Sequence, residues 1–312
     1  MSINPLATYL EAVLVAADNQ SCSGLADGQG SESVSHDWFQ RTLKDSEVCS
    51  LYAGLVNKLG LEGGYVLLDD TILEKHTLGL EGVCKLLDTK TGGFILGLSV
   101  VLLCWSDGRR TVPLAFLPYE RGRSKHDLAV ELLERAKSWG LTPRYALFDA
   151  WYASQKVLKA VTRLGWHFVT RLRRNRYLDG RKLRTRHRHP NWHAVGKLKG
   201  GVEVKVFRRG SKFYAASDAA LEWKAAKRLY KIRSGIEEVF RALKQECGWR
   251  GVQQRNVRTY TNHLTFGLLA YLYLQRLGSQ SRSGVYVLRR RLISRKLTLD
   301  RTDLLSFLDG AA

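Results

Sequence analysis

Two short apolar runs, each ending on an acidic residue, most narrow what this chain can fold into. Residues 65–71 read YVLLDDT, and residues 144–154 read RYALFDAWYAS. A brief apolar run of this kind predicts a buried strand. Asp70 and Asp149 are therefore delivered at the carboxyl ends of two strands, the edge of an open α/β sheet where ligands collect. The surrounding pattern agrees. Strands are predicted over 65–70, 94–104 and 111–117, with turns at Gly92-Gly93 and Ser106-Asp107-Gly108. A helix is predicted from Asp127 to Trp139, stopping at Gly140, then the Asp149 strand, a helix over 152–164 and a strand from Trp166 to Leu172.

A third element carries chemistry. The stretch YKIRSGIEEVFRALK places Tyr230, Arg233, Glu237 and Lys244 in the spacing Y-x2-R-x3-E-x6-K. At ~100° per residue these side chains fall within an arc of about 60° on one helix face. Ile232, Val239 and Leu243 take the opposite face, where they can pack into a core. A carboxylate flanked by arginine, lysine and tyrosine suits a metal ion together with phosphate oxygens. For the helix alone, a solvated charged face with local ion pairs is the competing reading. Asp70, Asp149 and Glu237 are about 80 and 90 residues apart, too far for local pairing to explain. Three such oxygen donors suit Mg²⁺ or Mn²⁺ over zinc.

These blocks resemble the DDE transposases of bacterial insertion sequences, in the cut-and-paste group with the Tyr-Arg-Glu-Lys signature. The similarity covers roughly residues 64–278. Asp70-Thr71 matches the first catalytic block, the run from Asp149 to Tyr152 the second, and Glu237 the third carboxylate. The resemblance implies an RNase H-like fold: a mixed α/β sheet flanked by helices, with a basic β-rich insertion before the glutamate helix. It implies two divalent ions, Mg²⁺ or Mn²⁺, held by Asp70, Asp149 and Glu237, and in-line phosphoryl transfer. Tyr230, Arg233 and Lys244 would hold terminal phosphates of the element. The implied partners are the element's terminal inverted repeats and target DNA, with a homodimer assembled on them and a hairpin intermediate on the element end. The sequence departs from many relatives at Ser234, where they carry tryptophan. Asp69 beside Asp70 points to the opposite face of the strand, and Asp70 is the expected ligand because it directly precedes Thr71. Two rival functions use the same residues: a nuclease that cuts without joining, and a DNA-binding remnant. No G-x4-G-K-[ST] motif is present, so nothing suggests use of ATP.

The net charge of +21 points independently to a polyanionic partner. It is uneven: Arg171 to Lys212 holds 15 Lys and Arg against Asp179 and Glu203, whereas the first 60 residues are mildly acidic. The segment 173–218 mixes cations, turn glycines and alternating β residues, and is the expected insertion. Its basic residues interleave with Tyr177, Trp192, Phe207 and Tyr214, which suits a groove tracking a DNA strand. Arg173, Arg174 and Arg176 are the expected DNA contacts there, and Trp192 the expected receiver of a flipped base. His187, His189 and His193 lack a thiol or carboxylate cluster, which argues against zinc. Five cysteines without a C-x-x-C pair fit reduced thiols in the cytoplasm. The longest apolar run, Phe94 to Trp105, is too short to cross a bilayer and no signal segment precedes it, so no membrane is expected.

Three segments follow. Residues 1–60 form a small helical region: one amphipathic pattern around Leu6, Leu10, Val13 and Leu14, a Ser/Gly-rich linker over 21–35, and two short helices up to Gly60. This region either reads a DNA end or supports the core. Residues 61–280 form the catalytic domain, with an apolar core helix over 261–277. Residues 281–312, with Arg289, Arg290, Arg291, Arg295 and Lys296, form a basic tail, expected as either a second DNA contact or a disordered end.

Overall fold

The structure is a computed structural model that describes residues 4–17, 21–27, 34–87, 92–186 and 189–310. The chain divides into two compact units. The first gathers Met1–Gly60, Ile72–Ser99 and Val239–Ala312; the second gathers Leu61–Thr71 and Val100–Glu238.

The second unit is built on a sheet. Its strands are β1 (Tyr65–Glu74, as far as Thr71), β3 (Phe94–Ser106, from Val100), β4 (Thr111–Pro118), β5 (Tyr145–Phe148), β6 (His167–Leu172), β9 (Asn191–Lys197), β10 (Glu203–Arg209) and β11 (Lys212–Ala216). Their order is β4-β3-β1-β5-β6-β11-β10-β9. β1, β5 and β6 run parallel, joined by crossovers through α5 (Lys125–Ser138) and α6 (Gln155–Arg163). A run buried on both faces forms each central strand: Tyr145 to Phe148 are all buried. α5 begins where a capping box allows, with Ser124 and Asp127 each satisfying the other's backbone N–H. The basic insertion does not stand apart. β11 pairs antiparallel with β6, so the insertion extends the same sheet. A small hairpin, β7 (Tyr177–Leu178) and β8 (Arg181–Lys182), turns on Asp179 and Gly180, both at positive φ, as a two-residue turn demands.

The first unit is helical, apart from β2 (Cys84–Leu87) and its antiparallel partner, the start of β3. Its helices are α1 (Pro5–Val15), α2 (Cys22–Asp27), α3 (His36–Asp45), α4 (Val48–Lys58), α10 (Val257–Ser281), α11 (Val285–Ile293) and α12 (Arg301–Leu308). α10 is buried all round from Asn262 to Leu274 and packs on α1, α3, α4 and α11. Its polar side chains have partners. Asn262 donates to the carbonyls of Leu43 and Ser46 at 2.7 and 3.1 Å.

Residues 1–60 and those on both sides of position 280 fall in one compact unit, where α1, α3 and α4 pack on α10. Two expectations change. Part of the expected linker is helix: Leu25 on α2 is fully buried, while residues 28–33 lie outside the described ones. The expected basic tail is folded as α11 and α12, and Arg289 is 1% exposed. Its guanidinium donates to the carbonyls of Leu14, Ala16 and Glu246. That makes it an internal clamp, not a DNA contact.

His263 is locked neutral in this core. Nδ1 accepts from the Tyr9 hydroxyl at 2.7 Å and Nε2 donates to the Gly248 carbonyl at 2.9 Å. Burial pulls its pKa down to about 4. The folded pKa lies below the unfolded one, so unfolding takes up a proton between pH ~6.5 and ~4. Stability should therefore fall by about 1.4 kcal/mol per pH unit on acidification through this window. Urea denaturation at several pH values checks this, and His263→Gln should flatten the slope.

Candidate active site

β1 and β5 set the first two carboxylates. Their parallel register runs from Tyr65 opposite Tyr145 to Leu68 opposite Phe148. Continued one residue beyond Phe148, that register would set Asp69 level with Asp149, and the charge of Asp149 is among the causes that raise the Asp69 carboxyl. The Asp149 carboxylate is pinned by its own turn: Oδ1 accepts from the backbone N–H of Trp151 at 2.8 Å and of Tyr152 at 3.2 Å. Thr170 on β6 holds the Asp149 carbonyl at 3.0 Å.

The third carboxylate comes from a helix that is broken where the sequence predicts continuity. α8 (Trp223–Ile232) and α9 (Ser234–Glu246) meet at Arg233, which keeps helical dihedrals (φ −52°, ψ −31°) while its N–H bonds back only three residues, to Tyr230. The break lets the first turn of α9 approach the sheet. A Cβ added at Gly235 would clash with Thr111 Oγ1 and meet Leu67 Cδ1 at 3.5 Å. Val239 and Leu243 are buried as expected; Ile232 is only half-buried.

Arg233 links the two elements. Nη1 bonds Asp69 Oδ2 at 2.8 Å, and Nη2 bonds Glu237 Oε1. Its Cζ lies 5.7 Å from the centre of the Tyr230 ring, which in turn meets Tyr214 edge-on at 5.2 Å. Burial opposes the Arg233 charge, but Tyr230, Asp69 and Glu237 outweigh it and raise its pKa. Lys244, the fourth signature residue, lies in the first unit and donates to the Ile72 carbonyl at 2.9 Å.

Asp70 occupies a different environment. Oδ2 accepts from Lys125 Nζ at 2.5 Å and Oδ1 from the Tyr152 hydroxyl at 2.8 Å. Burial and then the charge of Asp70 push the Tyr152 phenol well up, so it serves as a donor. Asp69 is more strained electrostatically. Burial raises it to about 7 despite Arg233, and the charges of Asp149 and Asp70 add to the rise. Lys125 and Tyr152 were not anticipated as partners of Asp70.

The expected DNA contacts scatter. Arg173 and Arg174 are exposed, and Arg176 is half-buried, its pKa lowered by burial and then by the charge of Arg173. Trp192 is half-buried with its ring edge-on to Phe213 at 6.2 Å. Phe207 is 1% exposed beneath Trp223, so it cannot line a strand-tracking groove. His187 lies outside the described residues.

The carboxylate donors suit a hard divalent cation. Among the described residues, no three His, Cys, Asp or Glu side chains already cluster as a metal site. Arg233 engages the carboxylates of both Asp69 and Glu237. Among the same residues no helix is long and apolar enough to cross a membrane.

Residues 66–273 match the family model for the transposase DDE domain. No curated protein matches the sequence. The fold is similar to that of a piggyBac transposase, solved by cryo-EM as a synaptic complex with hairpin DNA. The TM-score is 0.58 at 13% identity, covering 99% of this chain and 76% of the other.

The seat of α9 is open to test. Gly235→Ala should destabilise the protein by about 1–3 kcal/mol through overpacking against Thr111. Thr111→Ala in the same chain should recover part of that loss, and a double-mutant cycle by denaturant unfolding measures the coupling.

Proposed function

The chain belongs to the DDE transposase family, and we propose that it is an insertion-sequence transposase that cleaves DNA at the terminal inverted repeats and joins the ends to target DNA. Family membership carries the coarser statement, a metal-dependent enzyme that cleaves DNA. The finer one rests on a single observation: Arg233 bonds both Asp69 on β1 and Glu237 on α9, next to the end of β5 where Asp149 begins its turn.

Asp69, Asp149 and Glu237 are the carboxylates that would hold Mg²⁺ or Mn²⁺, with Asp69 in the role first expected of Asp70. Bound there, divalent ions supply the positive charge that activates the attacking oxygen and stabilises the leaving 3′-oxygen. Arg233 neutralises the carboxylates, and its planar fork is suited to a DNA phosphate once Glu237 turns away. Tyr230 stacks against that guanidinium and fixes its plane. Lys244 provides a further cation for the element end. Asp70 is a positioning residue that holds Lys125 and Tyr152. Two ends must be brought together, which calls for a dimer assembled on DNA, and release of the element proceeds through a hairpin. The enzyme works in the cytoplasm of a bacterium, on nucleoid DNA.

The test uses DNA carrying the repeats that flank the gene, with Mg²⁺ or Mn²⁺. Asp69→Asn, Asp149→Asn and Glu237→Gln should bind DNA but cut at least ~100-fold more slowly, because disturbing even the supporting shell of a metal site costs about 10–100-fold. Asp70→Asn should keep measurable cutting. Should Asp70→Asn be dead and Asp69→Asn active, the ligand is Asp70. Cutting without joined product would leave a nuclease, and binding without any cutting by wild type a DNA-binding remnant.

A further inference from the structure

Tyr152 touches both strand ends that carry the site. Its backbone N–H donates to Asp149 Oδ1 at 3.2 Å, and its hydroxyl donates to Asp70 Oδ1 at 2.8 Å. The residue is fully buried. A phenol ring is rigid and turns about only two side-chain bonds. Fastened at both ends, Tyr152 is a strut between β1 and the turn after β5.

The start of α5 closes the frame. Lys125, its first residue, bonds the other Asp70 oxygen, Oδ2, at 2.5 Å. His126, its second, donates from Nε2 to the Trp151 carbonyl at 3.0 Å. Asp70, Lys125, His126, Trp151 and Tyr152 therefore make one closed ring, and all five belong to the second unit.

Stability alone does not account for this ring. Lys125 stands at the positive end of the α5 dipole, where a cation is disfavoured. The side chains of Lys125 and Asp70 are each only 18% exposed, and apolar residues of similar volume often match a buried ion pair in stability. The cation is also bonded to the chain neighbour of Asp69, where its charge opposes a divalent ion. What the ring does supply is a fixed relation between two strand ends. Asp69 shares the β1 backbone with Asp70, and Asp149 shares its turn with Trp151 and Tyr152.

We propose that Tyr152 and Lys125 are positioning residues that, through Asp70, hold Asp69 and the Asp149 turn in the relation a divalent ion requires. This role rests on the transposase reading and its carboxylate set.

The experiment measures Mn²⁺ binding to the full chain directly, by electron paramagnetic resonance, with urea unfolding of every variant alongside. Tyr152→Phe keeps the buried ring and loses only the hydroxyl. It should weaken Mn²⁺ binding about 10–100-fold, the usual effect of losing an outer partner of a metal site. Tyr145→Phe is the control. It removes a phenol bond of the same kind, to Asp218 Oδ2 at 2.7 Å, from the opposite end of β5, and should leave Mn²⁺ binding unchanged. Lys125→Met separates geometry from charge by sign. Loss of a nearby cation alone tightens Mn²⁺ binding, whereas loss of a positioning bond weakens it, and weakening is the expected result. If Tyr152→Phe binds Mn²⁺ as wild type does, if Tyr145→Phe weakens binding as much, or if Lys125→Met tightens it, the positioning role is overturned while the transposase reading stands. If wild type binds no Mn²⁺, or Asp69→Asn and Glu237→Gln bind it as tightly as wild type, the carboxylate assignment falls and takes the positioning role with it.

Discussion

Carboxylates gathered at the end of a sheet repel one another, and burial makes that repulsion stronger. In this protein the guanidinium of Arg233 is what lets Asp69 and Glu237 share a site. Much of the second unit can be understood as the means of putting that one group in place. The helix breaks at Arg233, Gly235 lets the next turn lie against Thr111, and Tyr230 backs the guanidinium with its ring. The remaining strain is visible at Asp69, which stays well above the usual carboxylate range even with the arginine bound. A divalent cation would relieve that strain more fully than one arginine does, which is why the arrangement suits a metal.

The two faces of β1 have separate duties. Leu67 and Asp69 look toward α9; Asp70 looks toward Lys125 and Tyr152. Adjacent acids on a strand are thereby kept apart by the backbone itself. Asp69 bonds Arg233, and Asp70 fastens the start of α5 to the loop after β5. A change at Asp70 is expected to act through geometry, and a change at Asp69 through charge.

Much of this was legible in the sequence. The strand that leads to Asp149, the strand that carries Asp70 (although it runs on to Glu74), the helix α5 and the buried Val239 and Leu243 follow from period alone. Which of two neighbouring aspartates faces the site did not, because a residue's face depends on pairing with β5, and the run YVLLDDT looks alike from either side. The break at Arg233 was hidden because its dihedrals stay helical and only the hydrogen bonds change. Arg289 was misjudged for a similar reason. In sequence it is one of three consecutive arginines; its role is set by carbonyls at the other end of the chain. The insertion's aromatics were read as one set, yet Phe207 packs inward while Tyr177 is exposed.

The clamp at Arg289 reaches back 275 residues to Leu14 and 273 to Ala16. On the ribosome, therefore, the helix α1 emerges long before α10, α11 and α12, although α2 and α3, which also pack on it, follow at once. Leu10, Val13 and Leu14, all fully buried in the finished fold, complete their packing only when α10 and α11 arrive. The sheet of the second unit is complete once Ala216 has been made, so it can form during that wait. A chain cut short before α11 would carry Asp69, Asp149 and Glu237 but lack the clamp that holds the carbonyls of Leu14 and Ala16.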